Sequence, residues 1–573
     1  MDLQAADNLR AAEALLSALM GLGLRRLVLC PGSRCGTLAL AASRFESHGL
    51  QLICGIDERS AGFLALGMSR ADGQPTAVVT TSGTAVANLL PAAVEADHSA
   101  LPLLLISADR PERLKACGAN QTVNQEAFLQ PSCRALLQGP LDGLHRADAA
   151  RLHRLADAAW RHCLGIPAGP VHLNLAFEEP LHASAELPLP SQPPSRQLEL
   201  PAFGDPIDDL APLDLDRPGL IVVGPWRRGR GTGFVAALRR LVERSGWPVL
   251  ADAASGLRGL PLPVISAYDL LLEDPGRVPQ PHQVLRLGSM PSSRRLQDWL
   301  QLHRGPELVI TEGDPRRQDP LGSGAPQHWQ GLKACTASLA GGSPSPESLK
   351  LQQEWLQAEQ LTQSRLDQVL SRSGTCTEPS LARALQQLLP LDWPVMLASS
   401  SPVRDWESFA APPAGHRTVV SFRGASGIDG TLSLAAGLAN QWQRLVLVTG
   451  DLALLHDSNG WLWGQQLNAE LRVVLIDNGG GGIFEQLPIP RQGLDFSRLF
   501  VMPQAVDPLA LAAAHGVPQR ACRSMHELAA DLDWLLDSGE PMRLLRCSTD
   551  PVADAQLRRT LRQPGWPVEP PQA

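Results

Sequence analysis

An α/β fold of three doubly wound parallel-sheet domains is the expectation for this 573-residue chain, and three observations carry it. Short apolar strands rich in Val, Leu and Ile alternate with helix-length segments. Those strands lack the polar alternation of a half-exposed sheet, so they are expected in parallel sheets covered by helices on both faces. Two stretches rich in Pro, Gly or Ser, 180–218 and 322–345, interrupt the pattern and divide the chain into three. Such a length is also too great for one hydrophobic core.

The first unit, 1–182, opens with a helix over Ala5–Leu22 and a strand over Leu27–Cys30. Further strands are expected at Thr76–Thr80, Leu101–Ser107 and Val171–Leu175. A linker over 183–218 leads to a central unit, 219–321, with strands Leu220–Val223, Val284–Leu287 and Leu308–Thr311 and helices Gly233–Ser245 and Arg294–Gln301. The central unit holds a Gly-rich run, 229–233, but its spacing is not that of a dinucleotide fingerprint, which argues against a flavin or nicotinamide domain. After a second linker, 322–345, the third unit, 346–573, begins with helices Glu347–Ser371 and Pro379–Leu389. It then alternates strands Val395–Ala398, Thr418–Ser421, Leu445–Val448 and Val473–Ile476 with helices.

A net charge of −8 gives no general attraction to nucleic acid or an anionic membrane. No run approaches the roughly 20 apolar residues of a membrane span. The start of the chain lacks a charged-then-apolar signal segment. A soluble, cytoplasmic protein is therefore expected. The 10 Cys include no Cys-x-x-Cys pair, so neither a zinc site nor a disulfide framework is indicated.

Two strand ends in the third unit carry the most chemistry. The run 444–451 is an apolar strand ending in Asp451, and 472–480 repeats the pattern with Asn478 followed by Gly479 and Gly480. Ligand groups in parallel sheets gather at the carboxyl ends of strands. A hard cation such as Mg²⁺ takes few oxygens from protein and the rest from phosphate and water. One Asp, one Asn and one backbone carbonyl fit that demand. In the first unit Glu58 lies between a short apolar strand and a helix over Ser60–Met68, with Asp57 as the rival carboxylate and a plain helix cap as the alternative reading. Three loops that follow apolar strands, 30–36, 80–88 and 107–113, offer Gly turns, hydroxyls and the guanidinium forks of Arg34 and Arg110, a set suited to carboxylate ligands.

The spacing of Gly450-Asp451 and Asn478-Gly479 resembles the diphosphate-binding signature of thiamine-diphosphate enzymes, with Leu452 in place of a Gly and Asp477 in place of the first Asn. Further blocks are Pro31-Gly-Ser-Arg34, Asp57-Glu-Arg-Ser-Ala61, Thr81-Ser-Gly-Thr-Ala85, Glu95-Ala96, Ala108-Asp-Arg-Pro111, the run 118–125, Ser401-Pro-Val-Arg-Asp405, the run 423–430 and Gly481-Gly-Ile-Phe484. In order and content they are similar to the 2-succinyl-5-enolpyruvyl-6-hydroxy-3-cyclohexene-1-carboxylate synthase family of menaquinone and phylloquinone biosynthesis, whose members use thiamine diphosphate and Mg²⁺, with Mn²⁺ as a substitute. The blocks span about residues 27–488; the central unit matches poorly.

That resemblance implies three domains of the thiamine-diphosphate enzyme type, pyrimidine-binding, central and diphosphate-binding. It implies Asp451, Asn478 and the Gly480 carbonyl as metal ligands, and Glu58 as the carboxyl that drives tautomerisation of the cofactor's aminopyrimidine. Ser400, Ile428, Ile483 and Phe484 fall at cofactor contacts. Ser33, Arg34, Arg110, Gln121, Arg404 and Arg423 fall at substrate contacts, with Arg294 aligned more loosely. The implied reaction decarboxylates 2-oxoglutarate and adds the succinyl-semialdehyde carbanion to isochorismate in a Stetter-like 1,4-addition. Both substrates are dicarboxylates, which suits several Arg forks. Active sites shared between chains of a homodimer or a dimer of dimers are also implied. Phe422 and Cys35 stand where many relatives carry Asn and Ser. His456 is expected in a structural hydrogen bond. Another thiamine-diphosphate lyase, such as an acetohydroxyacid synthase relative, and a non-catalytic cofactor-binding module stay as alternatives.

Overall fold

The structure, a computed structural model, describes residues 3–182, 188–200, 207, 209–226, 233–371 and 374–563. Its strands fall into three six-stranded sheets, and every strand pair is parallel. The first sheet contains β1 (Arg26–Leu29), β2 (Gln51–Cys54), β3 (Thr76–Thr80), β4 (Leu103–Asp109), β5 (Ala135–Gln138) and β6 (Pro170–Ala176) in the order β2-β1-β3-β4-β6-β5. The second contains β7 (Gly219–Val223), β8 (Val249–Ala251), β9 (Val264–Ile265), β10 (Gln283–Leu287), β11 (Glu307–Ile310) and β12 (Gln327–His328) in the order β12-β11-β10-β7-β8-β9. The third contains β13 (Val395–Leu397), β14 (Val419–Val420), β15 (Arg444–Gly450), β16 (Glu470–Asp477), β17 (Gln519–Cys522) and β18 (Met542–Ser548) in the order β14-β13-β15-β16-β18-β17. Continuous burial along β3, β4, β6, β7 and β10 is what the unalternating apolar runs require of strands covered on both faces.

The chain folds as two compact units. The first comprises Met1–Ala202 and two returning segments, Arg423–Gln443 and His456–Ala469. Within it the returning helix Thr431–Trp442 crosses the helix Glu58–Asp72 at Gly67 and Gly437. A Cβ on Gly67 would lie 2.2 Å from the Leu434 carbonyl oxygen, and one on Gly437 would lie 2.1 Å from that of Leu64. The two backbones are thus in contact, which only glycine permits. Arg196 ties the described part of the first Pro-rich stretch to this unit, donating its backbone N–H to the Gly21 carbonyl at 2.8 Å and pairing with Asp157.

The second unit comprises Phe203–Phe422, Arg444–Leu455 and Glu470–Ala573 and holds the second and third sheets. The helix Pro346–Leu370 runs between their cores: Leu351 and Trp355 are buried with Leu220 and Val284 of the second sheet, and Leu366 and Leu370 with Phe409 and Leu561. Residues 322–345 differ from the expected linker. They hold β12, paired to β11, and the short helix Leu332–Cys335, whose Leu332 and Cys335 are buried. A two-residue strand and a single helical turn are too short to leave a period in the sequence. The Gly-rich run at 229–233 lies almost wholly outside the described residues.

Doubly wound sheets bind ligands where the strand order reverses. That point falls between β1 and β3 in the first sheet and between β13 and β15 in the third. In the second sheet it falls between β7 and β10, where a Cβ on Gly224 would sit 1.6 Å from the Ser289 carbonyl oxygen. Backbone fills that crevice, so the second sheet offers no cleft at its reversal point among the described residues.

Candidate active site

At the reversal point of the third sheet, β15 ends in Gly450, and Asp451 begins the helix Asp451–His456. Gly450 is in register with Ile476, so the two strand ends carry Asp451 and Asp477-Asn478 side by side. Burial pushes the Asp451 carboxyl up to about 6; the N–H groups of Leu452 and Gly480 oppose the shift, and the Asp477 charge adds to it. Asn478 donates Nδ2 to Glu378 Oε1 at 2.5 Å, while its Oδ1 is buried with no hydrogen-bond partner. Gly480 has φ 134° and backs onto the Val501 carbonyl, which leaves no room for a side chain. A Cβ on Gly482 would lie 2.5 Å from Asn478 Nδ2. This corner therefore offers a desolvated carboxylate, an unpartnered amide oxygen and glycine backbone, the hard-oxygen set that a divalent cation takes. Leu452, the departure from the signature, contributes a backbone N–H to Asp451 at 2.8 Å, which any residue would supply. Asp477 lies 3.9 Å from Arg546.

Beside this corner, Ser400 precedes the helix Ser401–Phe409 with φ 74°, and Arg404 donates to the Ser400 carbonyl at 2.7 Å. Ile483 and Phe484 are half-buried, and the Phe484 ring packs on Phe500 at 5.5 Å.

The reversal point of the first sheet holds the other group. Glu58 is the first residue of its helix, and Asp57 caps it, accepting from Arg59 N and Ser60 N. Asp57 also accepts from Asn459 at 2.8 Å. The cap reading thus belongs to Asp57, and Glu58 is left with one long contact, from Asn88 Nδ2 at 3.4 Å. Arg34 and Arg110 are both buried. Arg34 donates to the Phe177 carbonyl and to Glu179, with its Nε buried and unpartnered. Arg110 donates to Ser82 Oγ and to the Gln121 carbonyl. Burial lowers the Arg110 pKa, and the Arg34 charge lowers it further. The Asp109 and Glu179 carboxylates offset part of that shift, so the crevice is one in which guanidinium and carboxylate groups meet. Gln121 holds φ 56° and returns a bond from Nε2 to the Ser82 carbonyl at 3.0 Å; Ser33 is exposed on the neighbouring loop.

Arg423 and Ile428 belong to this same unit and flank a tight loop. The buried carboxylate of Glu95 accepts the N–H groups of Gly424 at 2.8 Å, Ala425 at 2.7 Å and Ser426 at 3.2 Å. A side chain on Gly424 would collide with it. His456 accepts from Arg59 through its backbone carbonyl at 3.0 Å and lies 3.4 Å from it through the ring, the structural bond expected of it. Cys35 donates weakly to the Gly32 carbonyl, the bond a Ser would make, and Phe422 is buried. Arg294 stands exposed at the start of its helix, paired with Asp298 one turn on. That is the surface ion pair open to any Arg.

Sequence reading passed over Glu378, Asp405 and Arg558, which lie fully buried behind Asn478, and Asp457, whose carboxylate accepts from Ser433 N at 2.7 Å. Their partners lie 24 to 397 residues away, so no local spacing announces them.

Residues 9–128 match the N-terminal TPP binding domain of thiamine pyrophosphate enzymes, 213–395 the thiamine pyrophosphate middle domain and 409–544 the C-terminal TPP binding domain. Along its whole length the chain is similar to proteins described as 2-succinyl-5-enolpyruvyl-6-hydroxy-3-cyclohexene-1-carboxylate synthase. It is 71% identical to one from Synechococcus sp. (strain RCC307), over 99% of each chain. It is 52% identical to one from Synechococcus sp. (strain CC9311), over 96% of this chain and 98% of that one, and 48% identical to one from Prochlorococcus marinus (strain MIT 9313), over 95% and 97%.

Proposed function

Because the chain belongs to the 2-succinyl-5-enolpyruvyl-6-hydroxy-3-cyclohexene-1-carboxylate synthase family of thiamine-diphosphate enzymes, we propose that it decarboxylates 2-oxoglutarate and joins the remaining succinyl-semialdehyde unit to isochorismate by 1,4-addition. The products are CO₂ and the cyclohexene carboxylate of the family name, on the route to menaquinone or phylloquinone. The observation that carries the reading is the unpartnered, buried Oδ1 of Asn478 beside the desolvated Asp451 carboxylate. Those two groups and the Gly480 carbonyl would hold Mg²⁺ or Mn²⁺, which would supply positive charge to a diphosphate.

Thiamine diphosphate supplies, when bound, the nucleophilic carbon and the electron sink that decarboxylation needs. The protein's residues do the rest. Glu58, free of the capping role that occupies Asp57, is the carboxyl for the aminopyrimidine. Ser400 and the N-terminus of its helix serve the diphosphate, and Ile428, Ile483 and Phe484 supply apolar walls. Arg34 and Arg110, with Ser33 and Gln121 on adjoining loops, hold substrate carboxylates. Arg404 and Arg423 complete the polar set, and Glu95 fixes the loop that carries Arg423. Guanidinium forks placed in this way orient two dicarboxylates so that the acceptor face meets the new nucleophile. The working assembly is a homodimer or dimer of dimers in which Glu58 and Asp451 of one site come from different chains. Its place is the cytoplasm; among the described residues no helix is long and apolar enough to cross a membrane.

The test is incubation with thiamine diphosphate, Mg²⁺ and 2-oxoglutarate, with and without isochorismate, following CO₂ and the adduct mass. Isochorismate-dependent CO₂ and the succinyl adduct are expected. Glu58→Gln should lose roughly 10²–10⁴ in rate. Turnover of pyruvate instead would move the protein to another lyase of the superfamily. Cofactor binding without CO₂ from any 2-oxo acid would mark a non-catalytic module.

A further inference from the structure

Asn478 can serve a cation only through Oδ1, yet a carboxamide is nearly symmetric, and nothing in its shape decides which end faces the site. Its surroundings do. Glu378 is the first residue of the helix Glu378–Leu388, is 1% exposed, and accepts Asn478 Nδ2 on Oε1. Both Glu378 oxygens act as acceptors, Oε1 from Asn478 and Oε2 from Arg558, so the amide nitrogen turns to it and the amide oxygen turns away. Glu378 is held in turn. Its Oε2 accepts from Arg558, on the helix Pro551–Leu561, and its backbone N–H donates to Asp554 of that helix at 3.1 Å. Arg558 also grips Asp405 in a two-pronged pair, Nε to Oδ1 at 2.8 Å and Nη2 to Oδ2 at 2.6 Å. Asp405 rides on the helix that starts after Ser400.

We infer that Glu378, locked by Arg558, is a positioning residue for the cation: it fixes the Asn478 carboxamide with its oxygen toward the metal. The inference rests on the metal reading given above. It assigns a task to the helix Pro551–Leu561, which carries no sequence motif of its own. It also predicts the sense of an isosteric change. In Glu378→Gln the new amide faces Arg558, which only donates. The Gln oxygen is drawn to Arg558 and its nitrogen turns to Asn478. Asn478 then flips to accept that nitrogen and presents its own NH₂ to the cation.

The experiment measures Mg²⁺ affinity by calorimetry at saturating thiamine diphosphate, with Mn²⁺ binding by electron paramagnetic resonance as a second readout independent of turnover. Glu378→Gln is expected to weaken both cations by roughly 10- to 100-fold, the range for residues that orient metal ligands. Adding Asn478→Asp to that variant is expected to recover most of the loss, because a carboxylate offers oxygen to the cation in either orientation. Asn478→Asp alone should weaken binding, because it sets one carboxylate against another. Arg558→Lys keeps a donor on Glu378 and should change affinity no more than a few-fold. Should Glu378→Gln fail to fold, Glu378→Asp withdraws the acceptor by one methylene and is expected to show a smaller loss in the same sense. A Glu378 variant with a lowered melting temperature and unaltered cation affinity would overturn the inference while leaving the metal reading intact. A wild-type protein that takes up neither cation with the cofactor would overturn both.

Discussion

Asp57 and Glu58 show how two adjacent carboxylates are separated by backbone geometry alone. Position Asp57 has extended dihedrals and sits where the helix's first N–H groups converge, so it caps them; Glu58 is already helical and points elsewhere. The sequence pair was legible as a cap plus a candidate acid, and the cap falls to Asp57. Asp457 was not legible. Its carboxyl is buried, accepting from Ser433 N and Ser60 Oγ, and burial pushes it up to about 6 despite the Arg59 charge nearby. The linkage runs against stability at rising pH. Below about 4 the group is protonated in both folded and unfolded chains. Between about 4 and 6 the unfolded chain ionises first, so stability falls as pH rises, by on the order of 3 kcal/mol in all. Asp457→Asn removes this slope. Urea unfolding at pH 4.5 and 7 should show the variant gaining about 2 kcal/mol on wild type between the two; a constant difference would contradict the buried-acid account.

Among elements, the strands that place the site were the most readable, because β1, β3, β13 and β15 are short apolar runs bounded by turn residues. Two-residue strands such as β9 and β12 were at or below the limit of any period. A helix such as Thr431–Trp442, buried on nearly all sides, announces burial but not its partner. Gly437 holds the clue: glycine inside a helix costs about 1 kcal/mol relative to Ala, and here it permits backbone contact with Gly67. Gly437→Ala trades that cost for an overlap with the Leu64 carbonyl. A net destabilisation of about 1–3 kcal/mol is expected in urea unfolding. A variant more stable than wild type would show that the two helices can slide apart freely.

For the molecule as a whole, the three sheets follow from the alternating pattern, while the division into two units does not. It depends on which segments return to which core, and those contacts join residues hundreds apart in sequence. The proposed sharing of sites between chains has a signature of its own. Glu58→Gln and Asp451→Ala chains, each inactive, should regain roughly a quarter of wild-type activity when unfolded together and refolded in equal amounts, since about half the dimers are mixed and each mixed dimer has one intact site. Sites built within single chains would regain none.

The composition of the first unit also dictates an order of events on the ribosome. Residues up to Ala202 lack their partner helix until the chain has emerged past Gln443, and the unit is not closed until Ala469. Roughly 200 residues separate Ala202 from the first returning segment, which at about 5–20 residues per second is on the order of 10–40 s of synthesis. Throughout that interval the face of the helix Glu58–Asp72 that receives Thr431–Trp442, lined by Gly67 and its neighbours, has no cover from its own chain. For that time the glycine-lined groove is a surface open to association with other chains.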